Sequence, residues 1–322
     1  MPHFGKIKNY RIASLLLLAV VLTSLSWALA GAEKNGFDLS NATIPVNQIL
    51  NGGPPRDGIP ALSDPVLIEA TEADYLEPQD RVIGIMIEGV ARAYPISILN
   101  WHEIVNDQIN DQRFAITYCP LCGTGVAFDT RIDGKSSDFG VSGLLYNSDV
   151  LLYDRNSESL WSQILATAIS GKQVGDKLQR LPIRHTSWKS WLETYPSTQV
   201  LSINTGYPRD YRRNPYAGYE QSRALYFSVE HRAPDTYHPK ELVAGINIDG
   251  VYKAYPFVEL AQRDKPRFTD RINGKTLFID WDSANRQVTI TDSSGEDLIA
   301  LRGFWFAWFA FHPDTLVFHA DD

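Results

Sequence analysis

The only two cysteines of this 322-residue chain sit in Tyr118-Cys119-Pro120-Leu121-Cys122-Gly123-Thr124, separated by two residues. A disulfide between them would close a four-residue ring. Loop entropy then gives roughly 2 kcal/mol, against about 4.7 kcal/mol for a 100-residue loop, so stapling is a weak reason to have the pair. Two chemistries remain: a dithiol that cycles with its disulfide, or half of a metal site completed by histidine or carboxylate. Pro120 restricts the turn, and Gly123 can take backbone angles closed to other residues, so both sulfurs can face one point.

This knuckle resembles one half of a rubredoxin-type or zinc-ribbon site, which uses two such knuckles. No second one exists here, so the remaining ligands must come from elsewhere. His102 is the expected third ligand, because Trp101-His102-Glu103 precedes the cysteines and a hairpin around Asn110-Asp111 would return the chain across it. Glu103, Asp107 and Asn147 are expected around the ligands. A Cys2His set suits copper(I) or zinc, and the carboxylates favour zinc. The alternative for His102 is a ring satisfied by a backbone hydrogen bond at a helix end. A thiol-disulfide oxidoreductase would use Cys119 and Cys122 as its catalytic pair, with one thiol of lowered pKa. No lysine, arginine or acid lies between Tyr118 and Ala127 to lower it, and Thr124 to Asp129 reads as a strand where thioredoxin has a long helix. A third alternative is a scaffold or binding module whose cysteines form an inert disulfide. Whether the protein is an enzyme stays open. Ser142 and Asn147-Ser148-Asp149 lack nucleophile-elbow spacing, and no glycine loop has phosphate-binding form.

The elements that must position this site come from an internal repeat. Pro78 to Leu99 aligns without gaps on Pro239 to Leu260, with 11 of 22 positions identical. Asp107-Gln108-Ile109-Asn110 then matches Asp270-Arg271-Ile272-Asn273, and Trp188-x-x-Trp191 with Thr198 matches Trp305-x-x-Trp308 with Thr315. Each copy opens with a hairpin whose turn is an acid-glycine pair, Glu88-Gly89 or Asp249-Gly250, followed by Ala-Tyr-Pro and a short helix. The expected fold class is therefore α+β and β-rich, with two tandem copies of a hairpin-led module and short helices. The expected organisation is residues 1–30 as a signal peptide or uncleaved anchor, 31–74 as an N-terminal extension, and 75–202 as the first module with the CxxC knuckle. Residues 203–236 are a connector, and 237–322 a shorter second module without cysteines. Asp282 and Asn285 fall opposite Cys119 and Cys122, so chemistry is expected on the first copy.

Lys6, Lys8 and Arg11 precede an apolar run from Ile12 to Ala30 that ends Ala28-Leu29-Ala30, the pattern of a secretory signal. The run is also long enough to span a bilayer. An extracytoplasmic location follows, periplasmic or secreted, with membrane contact only through an uncleaved N-terminal segment. The net charge is −8, and the first thirty residues contribute no acid. Such a body repels nucleic acid and anionic membranes. The expected partner is a metal donor or acceptor, or an unspecified protein.

The cysteine motif, with Trp101 to Asp107, Ser142 to Asp149, Leu160-Trp161-Ser162-Gln163 and Arg209-Asp210-Tyr211, resembles a widespread prokaryotic exported family of unknown function over roughly residues 75 to 320. The resemblance implies export and carries no activity with it.

Overall fold

In a computed structural model, residues 33–321 are described; the expected signal segment lies outside them. Each acid-glycine pair forms the tight turn its chemistry favours. Glu88 and Gly89 have φ of 49° and 82°, Asp249 and Gly250 of 49° and 89°, and the strands pair Ile87 with Val90 and Ile248 with Val251. After the Ala-Tyr-Pro run comes a short helix, α1 (Ile96–His102) in the first copy and α3 (Phe257–Leu260) in the second, each entered from a proline. The paired tryptophans lie on α2 (Trp188–Thr194) and α4 (Trp305–Phe311).

The expected organisation into two α+β modules is not what the chain builds. Among the described residues, strand accounts for 42 % and helix for 11 %, and five small sheets are arranged as a five-bladed β-propeller. The reason is how the repeat divides. In the first copy, the hairpin strands Arg81–Ile87 and Val90–Pro95 take Ile183–Ser187 and Gln199–Leu201 as neighbours. The second copy repeats that order with Leu242–Ile248, Val251–Pro256, Leu301–Phe304 and Leu316–Val317. The next three strands of each copy form a separate sheet, Ile104–Ile109, Gln112–Cys119 and Thr124–Asp129 in one case, Arg267–Ile272, Lys275–Asp282 and Gln287–Thr291 in the other. Each copy thus makes two blades. The fifth, built on Phe139–Tyr146, Asp149–Asp154, Leu160–Ser162 and Thr167–Ser170, comes from the stretch that the second copy lacks. Residues before the repeat add edge strands: Ile49–Asn51, Leu62–Ser63 and Leu67–Glu69 each pair with a different blade.

The copies do not enclose separate interiors. One core cluster joins Cys119 and Cys122 of the first copy, Val150 and Trp161 of the inserted blade, and Val243, Trp281 and Phe304 of the second copy. Matching interactions hold the two copies' blades. Tyr94 donates to Asp107 at 2.6 Å and Tyr255 to Asp270 at 2.7 Å, with Arg92 and Lys253 as the respective ion-pair partners. Trp191 donates to Thr198 and Trp308 to Thr315, both at 2.9 Å.

Those tryptophan rings lie flat against backbone. A Cβ added at Gly84 would overlap the ring of Trp191, and one at Gly245 the ring of Trp308. Gly84→Val should lower the urea unfolding midpoint by an amount equivalent to about 1–3 kcal/mol, the usual range for overpacking. An unchanged midpoint would contradict this packing.

Candidate metal centre

Two hairpin tips from adjacent blades meet at the cysteines. Cys119 ends the strand Gln112–Cys119 and pairs with Thr124 across the knuckle. Cys122 donates its N–H to Cys119 O at 3.2 Å, and Gly123 turns the chain with a φ of 63°. The knuckle is braced from the second copy, where Phe304 donates its N–H to Cys122 O at 2.7 Å. The opposing tip is Asn147-Ser148, with φ of 51° and 66°, which joins Tyr146 to Asp149 as a two-residue turn. It directs Ser148 O toward both sulfurs, 3.2 Å from Cys122 Sγ and 3.8 Å from Cys119 Sγ.

Asp149 is the third member of the group. One atom each from Cys119, Cys122 and Asp149 lie within 4.8 Å of one another, all buried. Both cysteines are free thiols. Asp149 Oδ2 accepts from the Ile164 N–H at 3.1 Å, whereas Oδ1 is buried without a hydrogen-bond partner. Ligand atoms around a tetrahedral zinc lie about 3.5–3.8 Å apart, given bonds of about 2.0–2.3 Å. The three donors therefore need only a small inward movement to close on an ion.

The electrostatics also fit a cation. Burial raises Glu103 to about 8 and Asp149 to about 7, and the Asp149 charge adds to the shift of Glu103. Burial pushes both thiols up, Cys122 further because Cys119 and Asp149 crowd it. Elsewhere the chain satisfies its buried or half-buried acids with a cation, as at Arg92–Asp107 and Lys253–Asp270, or with several neutral donors, as Ser157 and Trp161 do for Asp154. Here, among the described residues, no cation pairs with Glu103 or Asp149, and Asp149 Oδ1 has no donor. Burying charge without a partner is costly, and the groups hold protons instead. A bound cation would reverse those shifts.

The sequence-predicted residues separate into three sets. Cys119 and Cys122 are together. Glu103, held at φ 58° just after α1, is buried near enough to Asp149 for the Asp149 charge to raise its pKa, but lies outside the three-atom cluster. His102 does not join it: Nδ1 lies 2.8 Å from Pro60 O and Nε2 2.7 Å from the Tyr211 hydroxyl, so both nitrogens are engaged. Asp149 takes the place expected for His102. Asp107 belongs to the repeated frame, with Tyr94 and Arg92. Asn147 braces the turn, donating to Ala310 O at 3.2 Å and accepting from the Glu230 N–H at 2.7 Å. Tyr219, near both thiols, was not singled out by the sequence, and its hydroxyl is buried without a partner. Asp149 had one usable signal, its place in the stretch the second copy lacks.

A family model described as "Protein of unknown function (DUF3179)" matches residues 56–302. The chain belongs to this family. No curated protein and no solved structure matches it. The DUF3179 match spans the knuckle, Glu103, Asp149 and Tyr219, so the whole candidate site lies within the family domain. None of the described helices is long and apolar enough to cross a membrane.

The raised carboxylates set a pH dependence for the metal-free protein. Glu103 and Asp149 shift from 4.5 and 3.8 to about 8 and about 7. Between these limits the folded state binds more protons than the unfolded one, so stability is greatest below the unfolded values and falls as pH rises. The Tm of chelator-treated protein should drop between pH 5 and 8, and Glu103→Gln should flatten that drop. An increase in Tm across this range would contradict the assignment.

Proposed function

We propose that this DUF3179 protein is an exported zinc-binding protein whose ligands are Cys119, Cys122 and Asp149. The observation that carries the reading is Asp149 Oδ1, a buried acceptor without a partner placed with two free thiols inside one ligand-sized cluster. Two thiolates alone would suit copper(I), but the carboxylate makes the set harder and favours zinc. Three protein ligands are the donor count of a catalytic rather than a closed structural zinc site. The remaining position would face Glu103, whose raised pKa suits a group that gives and takes a proton near neutrality, and Tyr219. A cavity beside the knuckle, of about 300 Å³ and lined by Tyr118, Pro120, Tyr216 and Tyr219, offers an approach. An exchange-active dithiol is the weaker reading, because burial raises both thiols when exchange needs a lowered pKa.

Protein purified without chelator should contain one zinc per chain. Cys119→Ser and Asp149→Asn should each lose it, while His102→Gln should retain it. Affinity should rise with pH, because the ligands must give up their protons on binding. Failure to take up zinc under reducing conditions, or loss through His102→Gln alone, would overturn the reading.

A further inference from the structure

A second cluster of unpartnered buried groups lies in a cavity of about 220 Å³ where three blades meet. Its walls come from the strands Ile183–Ser187, Gln287–Thr291 and Leu301–Phe304, and no ligand of the candidate metal centre lines it. The charged residues in the lining are Arg184, Arg286, Arg302 and one acid, Asp297. Three guanidiniums against one carboxylate leave an excess of positive charge.

Two of the lining groups present buried nitrogens. Arg302 Nε is buried with no hydrogen-bond partner, and so is His185 Nδ1. His185 is itself buried, 8 % exposed, and its Nε2 donates to Gly125 O at 3.3 Å. That bond makes Nδ1 an acceptor in the neutral ring. Burial, with repulsion from Arg81 and Arg286, pulls the pKa of Arg302 down to about 9. Among the described residues, Arg184, Arg286 and Arg302 form no ion pair, in contrast to Arg92–Asp107 and Lys253–Asp270. Trp191, Phe257 and Ile299 give the cavity an apolar side, with the Arg302 guanidinium 5.6 Å from the Phe257 ring centre, and Gln287 and Thr289 add polar groups.

We propose that this cavity binds a small phosphate monoester with an apolar body, the phosphate at Arg302, Arg286 and His185 and the body against Trp191 and Phe257. The donor set selects the headgroup. Guanidiniums are suited to the several oxygens of a phosphate, which accept from their N–H groups. A phosphate ester near its second ionisation, at a pKa of about 6, also carries a proton to donate to His185 Nδ1. A carboxylate at neutral pH brings no such proton. The apolar walls select an ester over the free ion.

The test is calorimetric titration of the purified full chain with phenyl phosphate, inorganic phosphate and benzoate. Phenyl phosphate should bind with the highest affinity of the three. Arg302→Met should abolish that binding. Because Arg302 is buried enough that its loss could unfold the blade, Arg286→Ala is the second variant; Arg286 is exposed, and its loss should weaken phenyl phosphate about tenfold, or roughly 1.4 kcal/mol. Benzoate binding as tightly as phenyl phosphate would overturn the phosphate assignment, and equal affinity for inorganic phosphate would overturn the ester. No heat with any of the three, or an Arg286→Ala variant that binds normally, would overturn the site. Zinc uptake is measured separately and at different residues, so either reading can fail alone.

Discussion

Four acidic groups, the thiols of Cys119 and Cys122 and the carboxyls of Glu103 and Asp149, are buried against one another, and this constraint organises the first copy of the repeat. A fold does not gain stability by collecting acids in its interior; each one resists ionisation and holds its neighbours' protons. Where the same fold buries a carboxylate for structure, it supplies donors, a tyrosine hydroxyl and a cation at Asp107, and the Ser157 and Trp161 N–H and O–H groups at Asp154. At Asp149, Oδ1 has no such donor.

The propeller explains how such a cluster is held together. The knuckle and the Asn147-Ser148 turn belong to different blades, so neither hairpin builds the site alone. Phe304 fixes the knuckle through Cys122 O, and Asn147 fixes the opposing turn against α4 and the segment at Glu230. The second copy contributes none of Cys119, Cys122 and Asp149, yet its Leu301–Phe304 strand abuts the knuckle. Residues 203–236, between the copies, place Tyr211 on His102 and Tyr219 near the sulfurs. The site is therefore assembled from both repeats, the insertion and the connector.

Local elements were legible in the sequence because local chemistry decides them. Acid-glycine turns, the helix after each Ala-Tyr-Pro and the Trp-x-x-Trp helices fall where pattern and turn propensity put them. The five-blade arrangement was not legible, since the repeat length marks what is duplicated but not that each copy divides into two sheets around a shared core. For the site, the CxxC spacing and the neighbouring Glu103 were readable. His102 was misleading because adjacency in sequence does not fix the direction of a side chain: Glu103, one residue later at positive φ, is buried near Asp149 while His102 turns to Pro60 and Tyr211. Asp149 comes from a different blade, and its approach to the sulfurs is a tertiary contact that no spacing encodes.

The central claim is that two sulfurs and one carboxylate oxygen hold a single ion. X-ray absorption at the zinc edge, on protein reconstituted with one equivalent of zinc, measures that directly. The account predicts two sulfur neighbours at about 2.3 Å and oxygen neighbours at about 2.0 Å, with no imidazole scattering. A shell of oxygen and nitrogen alone, or one containing a histidine, would contradict it.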